Sequence, residues 1–327
     1  MPETILVTKQ QFDKAEDVFR SANGLNCESA PAEEEVLAEI IASRGIRVVV
    51  AGVDPYRKAI YESLGRANGA LIARFGVGHN NIDKSLARKH EIIVTNTPGT
   101  LDVSVAEHTI LLAGNLARHI SQLDSNFRGG KFAGQTGMEL NGKTLGIIGF
   151  GNIGKRVAAI AHFGFGMRVI AADTRPPAGE QTEFMTRYGL DYFTCNVEQV
   201  LRQADIVSIH LPAIASTSHF IDATKLSWLK PGANLINTAR GEIVDEAALY
   251  DALSAGQLAG AALDVFENEP YQPAQPDKDL RRLENVTLTP HIGSNTREAN
   301  NRMAISCLEN IRNFLAGRYE LLARVDL

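Results

Sequence analysis

The chain has 327 residues, 44% of them hydrophobic and 22% charged, with a formal net charge of −5. That composition fits a soluble globular protein long enough for two domains, and an acidic balance without a basic run argues against a general nucleic-acid surface. No run of about 18 apolar residues is present to span a membrane, the N-terminal MPETILVTKQ lacks the regions of a signal peptide, and Cys27, Cys195 and Cys307, without metal-ligand spacing, read as reduced packing residues of a cytoplasmic protein.

Residues 1–100 alternate short apolar runs with helical stretches. Strands are expected near Thr4–Thr8, Ile46–Gly52, Ala70–Ala73 and Ile92–Thr95, with helices such as Ala32–Ser43 and Arg57–Leu64 between them. Such alternation implies parallel strands with crossover helices. Two glycine turns stand out. RFGVGHNNID at 74–83 reads either as a tight strand-to-helix turn or as an anion-binding loop, in which a substrate carboxylate would sit on the amides of Val77 and Gly78. Asn96-Thr-Pro-Gly99 is a turn into a long helix. Ser104 and Glu107 fit a capping box at its start, and Val105, Leu112, Leu116 and Ile120 continue its apolar face. This helix reads as an interdomain connector, and Arg128–Gly142 as a loop. Strands are then expected at 145–149, 168–172, 206–210, 233–238, 260–264 and 286–289, followed by an amphipathic helix from Arg297 to Leu315. That helix is expected to return to the first domain, which would then be discontinuous.

The stretch TLGIIGFGNIGKRVAAIAHFGFGMRVIAAD at 144–173 organises the chain. An apolar strand runs into Gly149, Gly151 and Gly154 in G-x-G-x-x-G spacing, and a helical pattern follows from about Ile153 to His162, stopped by Gly164 and Gly166. Gly149 permits the tight turn, Gly151 admits a pyrophosphate close to the backbone, and Gly154 allows the helix to pack on the strand. The first amides of that helix suit a diphosphate. Asp173 ends the next strand, about 20 residues on, where a carboxylate accepts the ribose hydroxyls and repels a 2′-phosphate. The pattern points to NAD over NADP, with Lys155 and Arg175 close enough in sequence to tolerate extra phosphate.

Ligands in open α/β sheets bind beyond the carboxyl ends of the strands. His210 and Pro212 follow one such strand; Thr238, Ala239 and Arg240 follow the next. Asp264 ends another, with Glu269 shortly after it, and His291 follows the last. An arginine, two carboxylates and a histidine beside a nicotinamide site suit oxidation of a 2-hydroxy acid or reduction of a 2-keto acid. A histidine switches protonation state near neutral pH. A carboxylate beside it would orient the ring and favour imidazolium, by roughly 1–3 pKa units for a close pair. Arginine offers a fork of donors for a carboxylate. Among the other histidines only His79, in the glycine loop, is a rival.

The whole chain resembles the D-isomer-specific 2-hydroxyacid dehydrogenase family. The resemblance rests on RFGVGHNNID at 74–83, NTPG at 96–99, VAEHT at 105–109, ELNGKTLGIIGFGNIG at 139–154, HLP at 210–212, NTARGEIVDEAAL at 237–249, ALDVFENEP at 262–270 and LTPHIGSNT at 288–296. It implies two Rossmann-like or flavodoxin-like α/β domains. The cofactor domain, a doubly wound parallel sheet spanning 104–295, would be inserted into a substrate domain of 1–103 plus 296–327. It also implies roles. Arg240 would bind the substrate carboxylate and carbonyl, and Glu269 would partner His291 as the acid/base. Asp264 would hold the nicotinamide carboxamide. Gly149, Gly151, Asn152, Ile153, Gly154, Asp173, Pro212, Thr217, Thr238, Ala239 and Gly293 would line the coenzyme. Val77 and Gly78 would meet the substrate carboxylate. No metal is implied. The family is usually a homodimer joined through the cofactor domains and the connector. Phe132 departs from it, since many members carry tryptophan there.

The expected substrate is a small 2-keto or 2-hydroxy acid of the glyoxylate, hydroxypyruvate or pyruvate type, with no nucleic acid or membrane partner. Arg57 or Lys58, with Arg74 nearby, would instead suit 3-phosphoglycerate, as in a short phosphoglycerate dehydrogenase without a regulatory extension. A third reading, from another class, is an NAD-sensing corepressor-like dimeric scaffold.

Overall fold

The computed structural model describes residues 2–67, 69–174 and 181–326. The chain divides into two compact units, Met1–Leu101 with Ser294–Leu327, and Asp102–Gly293. Arg175, weighed above as a phosphate neighbour, lies outside the described residues.

The first unit is built on β1 (Glu3–Thr8), β2 (Leu25–Ala30), β3 (Val48–Ala51), β4 (Ala70–Arg74) and β5 (Ile92–Thr95). They form a parallel sheet in the order β2-β1-β3-β4-β5, the flavodoxin-like order. β3 and β4 are buried throughout, which is why both read as unbroken apolar runs. β2, LNCESA, was not expected. It sits at the sheet edge with a mixed, mostly open burial pattern, so it carries no apolar run to reveal it. The helix Arg297–Leu315 forms where its spacing predicts, capped by the Thr296 side chain, which accepts from Ala299 N. Met303, Cys307, Ile311 and Phe314 on one face join the core of this unit, the i, i+4 stripe of a core-facing helix. The last residues, which carry little sequence signal, extend the sheet. Val94 N donates to Asp326 Oδ1, Asn96 N donates to the Ala323 carbonyl, and Arg324 bridges Thr95 in antiparallel sense.

The second unit is built on β6 (Thr144–Ile148), β7 (Arg168–Ala172), β8 (Tyr192–Thr194), β9 (Ile206–Ile209), β10 (Ala233–Asn237), β11 (Leu258–Leu263) and β12 (Val286–Leu288). The sheet is parallel, in the order β12-β11-β10-β9-β6-β7-β8. Counted from β6, this is the doubly wound order with one strand added, and its direction reverses between β6 and β9. All of β6 is buried. Its Leu145, Ile147 and Ile148 each contribute about 1.5–3 kcal/mol by leaving water. β8, three residues on the far edge, was not expected either.

The connector differs from its expectation in two ways. Its helix begins at Asp102 and ends at Arg118, so Ser104, 5% exposed, lies within the first turn, and the capping box with Glu107 is not the start of the helix. His119, in a left-handed conformation, then breaks the chain, and a second helix runs Ile120–Arg128 with Ile120 exposed. The helix after β6 is Asn152–Ala159, followed by a π-helical turn at Ile160–Gly164. Of the cysteines, Cys307 is buried, and burial pushes its thiol up to about 12. Cys27 is partly buried and is pushed up to about 11 for the same reason. Cys195 is exposed; it follows the edge strand β8 and is not a packing residue as expected. Among the described residues no helix is long and apolar enough to cross a membrane.

Candidate active site

The glycine turn after β6 lies at the strand reversal. Gly149 adopts φ +93°, and a Cβ there would stand 2.5 Å from the His210 carbonyl oxygen, so β9 closes against the turn. A Cβ on Gly154 would meet the Gly149 carbonyl oxygen at 2.5 Å; only glycine lets the helix come this near the strand. Gly151 is different, since among the described residues nothing beyond its own chain neighbours lies within 4 Å of its Cβ position. Its glycine therefore relieves no internal contact and leaves open space over the turn, as close approach by a pyrophosphate requires. Gly151 N-caps the helix whose first residues are Asn152 and Ile153. Asp173 follows β7, its Oδ2 accepting from Phe150 N at 2.7 Å and its Oδ1 from Thr174 Oγ1 at 3.3 Å, so one carboxylate oxygen holds the glycine turn in shape. These residues fit a dinucleotide with unphosphorylated ribose.

The strand ends named above are neighbours in the sheet: β9, β10, β11 and β12 are consecutive. After β9, His210 pairs its ring with Ser208 Oγ at 2.8 Å. Pro212 is exposed, and its carbonyl accepts from Thr217 Oγ1 at 2.6 Å, which closes the 212–217 loop. After β10, Thr238 is buried and shares a 2.9 Å hydroxyl contact with Thr109 of the connector helix. Asn237 was not singled out from the sequence, yet it shapes the turn. Its Oδ1 accepts from Ala239 N and its Nδ2 donates to the Arg240 carbonyl. Arg240 Nη1 donates to the Ala239 carbonyl at 2.5 Å. Burial pushes the guanidinium pKa down from its ordinary value, opposed by the nearby Glu242 and Glu269 carboxylates.

Asp264, 1% exposed, follows β11 and anchors the next segment. Its Oδ1 accepts from Thr289 Oγ1 and Ile292 N, at 2.6 and 2.9 Å, and its Oδ2 accepts from Gly293 N at 2.8 Å. His108 Nε2 lies 3.5 Å from Oδ1. Burial raises the Asp264 pKa, but the His108, Thr289, Ile292 and Gly293 hydrogen bonds outweigh it and hold the carboxyl below its usual range. His108 and Thr109 were not legible as neighbours of this site, because helical sequence gives no sign of which strand end it will face.

The segment that Asp264 holds carries His291. Its backbone is left-handed, φ +52°, a conformation that costs a non-glycine residue about 1–2 kcal/mol and persists where surrounding structure fixes it. His291 Nδ1 lies 2.7 Å from Glu269 Oε2, and Glu269 Oε1 accepts from Phe266 N at 3.1 Å. Burial raises the Glu269 pKa, but the bond to His291, its charge, the Phe266 amide and Arg240 together leave it lowered. With Nδ1 committed to the carboxylate, Nε2 is the ring atom left for chemistry.

In the first unit, Val77 and Gly78 are half-buried in the loop after β4. Gly76 N donates to Thr97 Oγ1 and Asn96 Nδ2 donates to the Val77 carbonyl, so the Asn96–Gly99 turn holds this loop. His79 lies on the same loop and is half-buried. Arg57 and Lys58 lie just before the helix Ala59–Leu64, which starts two residues later than expected, and their backbone amides donate to the Glu34 carboxylate at 2.8 and 2.7 Å. Lys58 Nζ also lies 3.5 Å from Glu62. A cavity of about 250 Å³ lined by Asn115, His119, Gln122, Asn234 and Thr287 lies at the amino ends of β10–β12 and contains none of the candidate residues. Among the described residues no group of three or more His, Cys, Asp or Glu is placed to hold a metal.

Residues 110–293 match the family model described as D-isomer specific 2-hydroxyacid dehydrogenase, NAD binding domain. A hydroxypyruvate reductase of Thermotoga maritima is 38% identical over 304 residues, covering 91% of this chain and 94% of that protein. A chloroplastic D-3-phosphoglycerate dehydrogenase of Arabidopsis thaliana is 36% identical over 98% of this chain, which spans only 49% of that longer protein. A crystal structure of a Thermus thermophilus protein superposes with a TM-score of 0.82 at 32% identity, covering 98% of this chain and 99% of that one.

Proposed function

The chain belongs to the D-isomer-specific 2-hydroxyacid dehydrogenase family of NAD-dependent oxidoreductases, and on that premise we propose that Arg240, Glu269 and His291 interconvert a small 2-keto acid and its D-2-hydroxy acid. The observation that carries this reading is the 2.7 Å pair between His291 Nδ1 and Glu269 Oε2. NADH, when bound, supplies the hydride. Arg240 holds the substrate carboxylate with its guanidinium fork and polarises the carbonyl. His291 Nε2 delivers the proton to the carbonyl oxygen, and Glu269 stabilises the ring while it is charged. In the reverse direction Nε2 takes the hydroxyl proton. Asp264 offers the carboxamide its remaining Oδ2 lone pair, and Gly293, Pro212, Thr217, Thr238 and Ala239 line the coenzyme.

The substrate class is glyoxylate, hydroxypyruvate or pyruvate. Arg57 and Lys58 are both exposed, and Lys58 Nζ lies 3.5 Å from Glu62, which supports reading these two residues as solvated charges. NADH oxidation against glyoxylate, hydroxypyruvate, pyruvate, phenylpyruvate and 3-phosphohydroxypyruvate tests this. The small unphosphorylated acids should give the highest kcat/KM, and a strong preference for the phosphorylated acid would overturn the assignment. The protein acts as a cytoplasmic homodimer joined through its cofactor domains. Supporting this, Leu111 on the connector helix and the Phe127–Phe132 pair beyond it are exposed, Phe132 at 93%.

Asp173 sets the coenzyme. Asp173→Ala removes the repulsion of a 2′-phosphate and a charge-assisted acceptor worth about 1.5–3 kcal/mol. The NADH-over-NADPH ratio in kcat/KM should fall by about 10- to 100-fold. An unchanged ratio would mean that another residue makes the choice.

A further inference from the structure

The loop that carries Glu269 is held from below by a second carboxylate that the reaction itself does not use. Glu246, the first residue of the helix Glu246–Ser254, is 3% exposed. Its Oε1 accepts from Glu267 N at 2.7 Å, while Glu267 Oε1 accepts from Glu246 N at 2.8 Å. The two residues therefore clasp each other reciprocally, side chain to backbone. The clasp is tightly seated, because a Cβ on Gly241 would overlap the Phe266 carbonyl carbon and oxygen, so the turn after Arg240 lies directly on this loop. One residue before the clasp, the Phe266 amide holds Glu269 Oε1, and Glu269 Oε2 holds His291.

We propose that Glu246 is a positioning residue for the acid/base pair: as a buried hydrogen-bond acceptor it fixes the Phe266–Glu267 backbone, and through the Phe266 amide it sets the Glu269 carboxylate against His291. This rests on reading Glu269 and His291 as that pair. Its surroundings shift it toward the protonated form. Glu246 Oε2 is buried without a hydrogen-bond partner, and the Glu267 amide at Oε1 offsets only part of that burial, so the protonated form is favoured relative to an exposed carboxylate. Glu267 and Glu269 face it from the loop with like charge. His219, 3.3 Å from Glu267 Oε2, is the nearby group of opposite tendency. Burial first, then these carboxylates, push Glu246 up to about 7. Tyr271 also faces it from the loop.

The test measures kcat, KM for the preferred 2-keto acid and the NADH dissociation constant for wild type, E246A, E246D, E246Q and E269A. E246A should lose about tenfold or more in kcat, the order expected when a supporting contact beneath a catalytic group is removed, with NADH affinity within about twofold of wild type. E246D, one methylene shorter and gentler on the fold, should follow it. E246Q should recover to within about threefold, because its amide oxygen still accepts from Glu267 N and carries no charge. An E246A and E246D kcat near wild type overturns the inference. So does an E246Q kcat as low as that of E246A, or a parallel loss of NADH binding that marks general damage. E269A at wild-type turnover overturns the acid/base reading itself and this inference with it; an inactive E269A beside an active E246A overturns the inference alone.

Discussion

His291→Ala should lower the turnover of keto-acid reduction by about 10²- to 10⁴-fold, the range that a positioned general acid contributes, while NADH binds with unchanged affinity. The size follows from the wiring of the ring. Nδ1 is committed to Glu269 at 2.7 Å, so Nε2 alone can deliver the proton, and the ring is held by a backbone that Asp264 pins at Thr289, Ile292 and Gly293. Alanine removes the imidazole and leaves those three bonds in place, and alanine at φ +52° is strained no more than histidine was. The coenzyme turn at Gly149–Gly154 belongs to a different strand end and should be undisturbed. Saturation kinetics and NADH fluorescence titration on the same sample check both halves of the expectation. Near-normal turnover would refute the acid/base role, and a matching loss of NADH affinity would mean that the substitution acts through the fold.

Much of this arrangement was legible in the sequence, because strands buried on both faces announce themselves as apolar runs and glycines with a steric duty keep a fixed spacing. β3, β4, β6, β9 and β10 were found that way. β2 and β8 were not: each lies at a sheet edge, half in water, β2 with polar residues where an apolar run would be needed and β8 with only three residues. The start of the connector helix was misplaced by two residues because Ser104 and Glu107 have the spacing of a capping box, and nothing local says that the helix has already begun at Asp102. In the candidate site, the residues at strand ends could be named one by one from the sheet rule. Their second partners could not. Asn237 under Arg240, His108 beside Asp264 and Glu246 beneath Glu267 are set by which backbone and side-chain groups the fold brings near, and that is a property of packing that spacing does not encode.

Arg240→Lys should reduce kcat/KM for the keto acid by about 10²- to 10³-fold, with KM raised and NADH affinity kept. Charge alone would make the change mild, because lysine preserves it. Geometry makes it severe. The Arg240 backbone is fixed by Asn237 through the bonds to Ala239 N and the Arg240 carbonyl, and Nη1 is spent on the Ala239 carbonyl. The guanidinium is thus aimed by its own turn, and its remaining donors keep the planar fork that matches a carboxylate. An ammonium placed here is a point donor that must choose between the Ala239 carbonyl and the substrate. Losing one or two charge-assisted bonds of about 1.5–3 kcal/mol each gives the stated range. Burial adds to it, since the site holds the side chain away from water and lowers its pKa from the ordinary value; lysine, with a lower intrinsic pKa than arginine, is the more readily discharged in such a setting. Rescue by added guanidinium ion in an Arg240→Ala variant would locate the deficit in the lost fork, whereas an Arg240→Lys enzyme with wild-type KM would mean that another group receives the carboxylate.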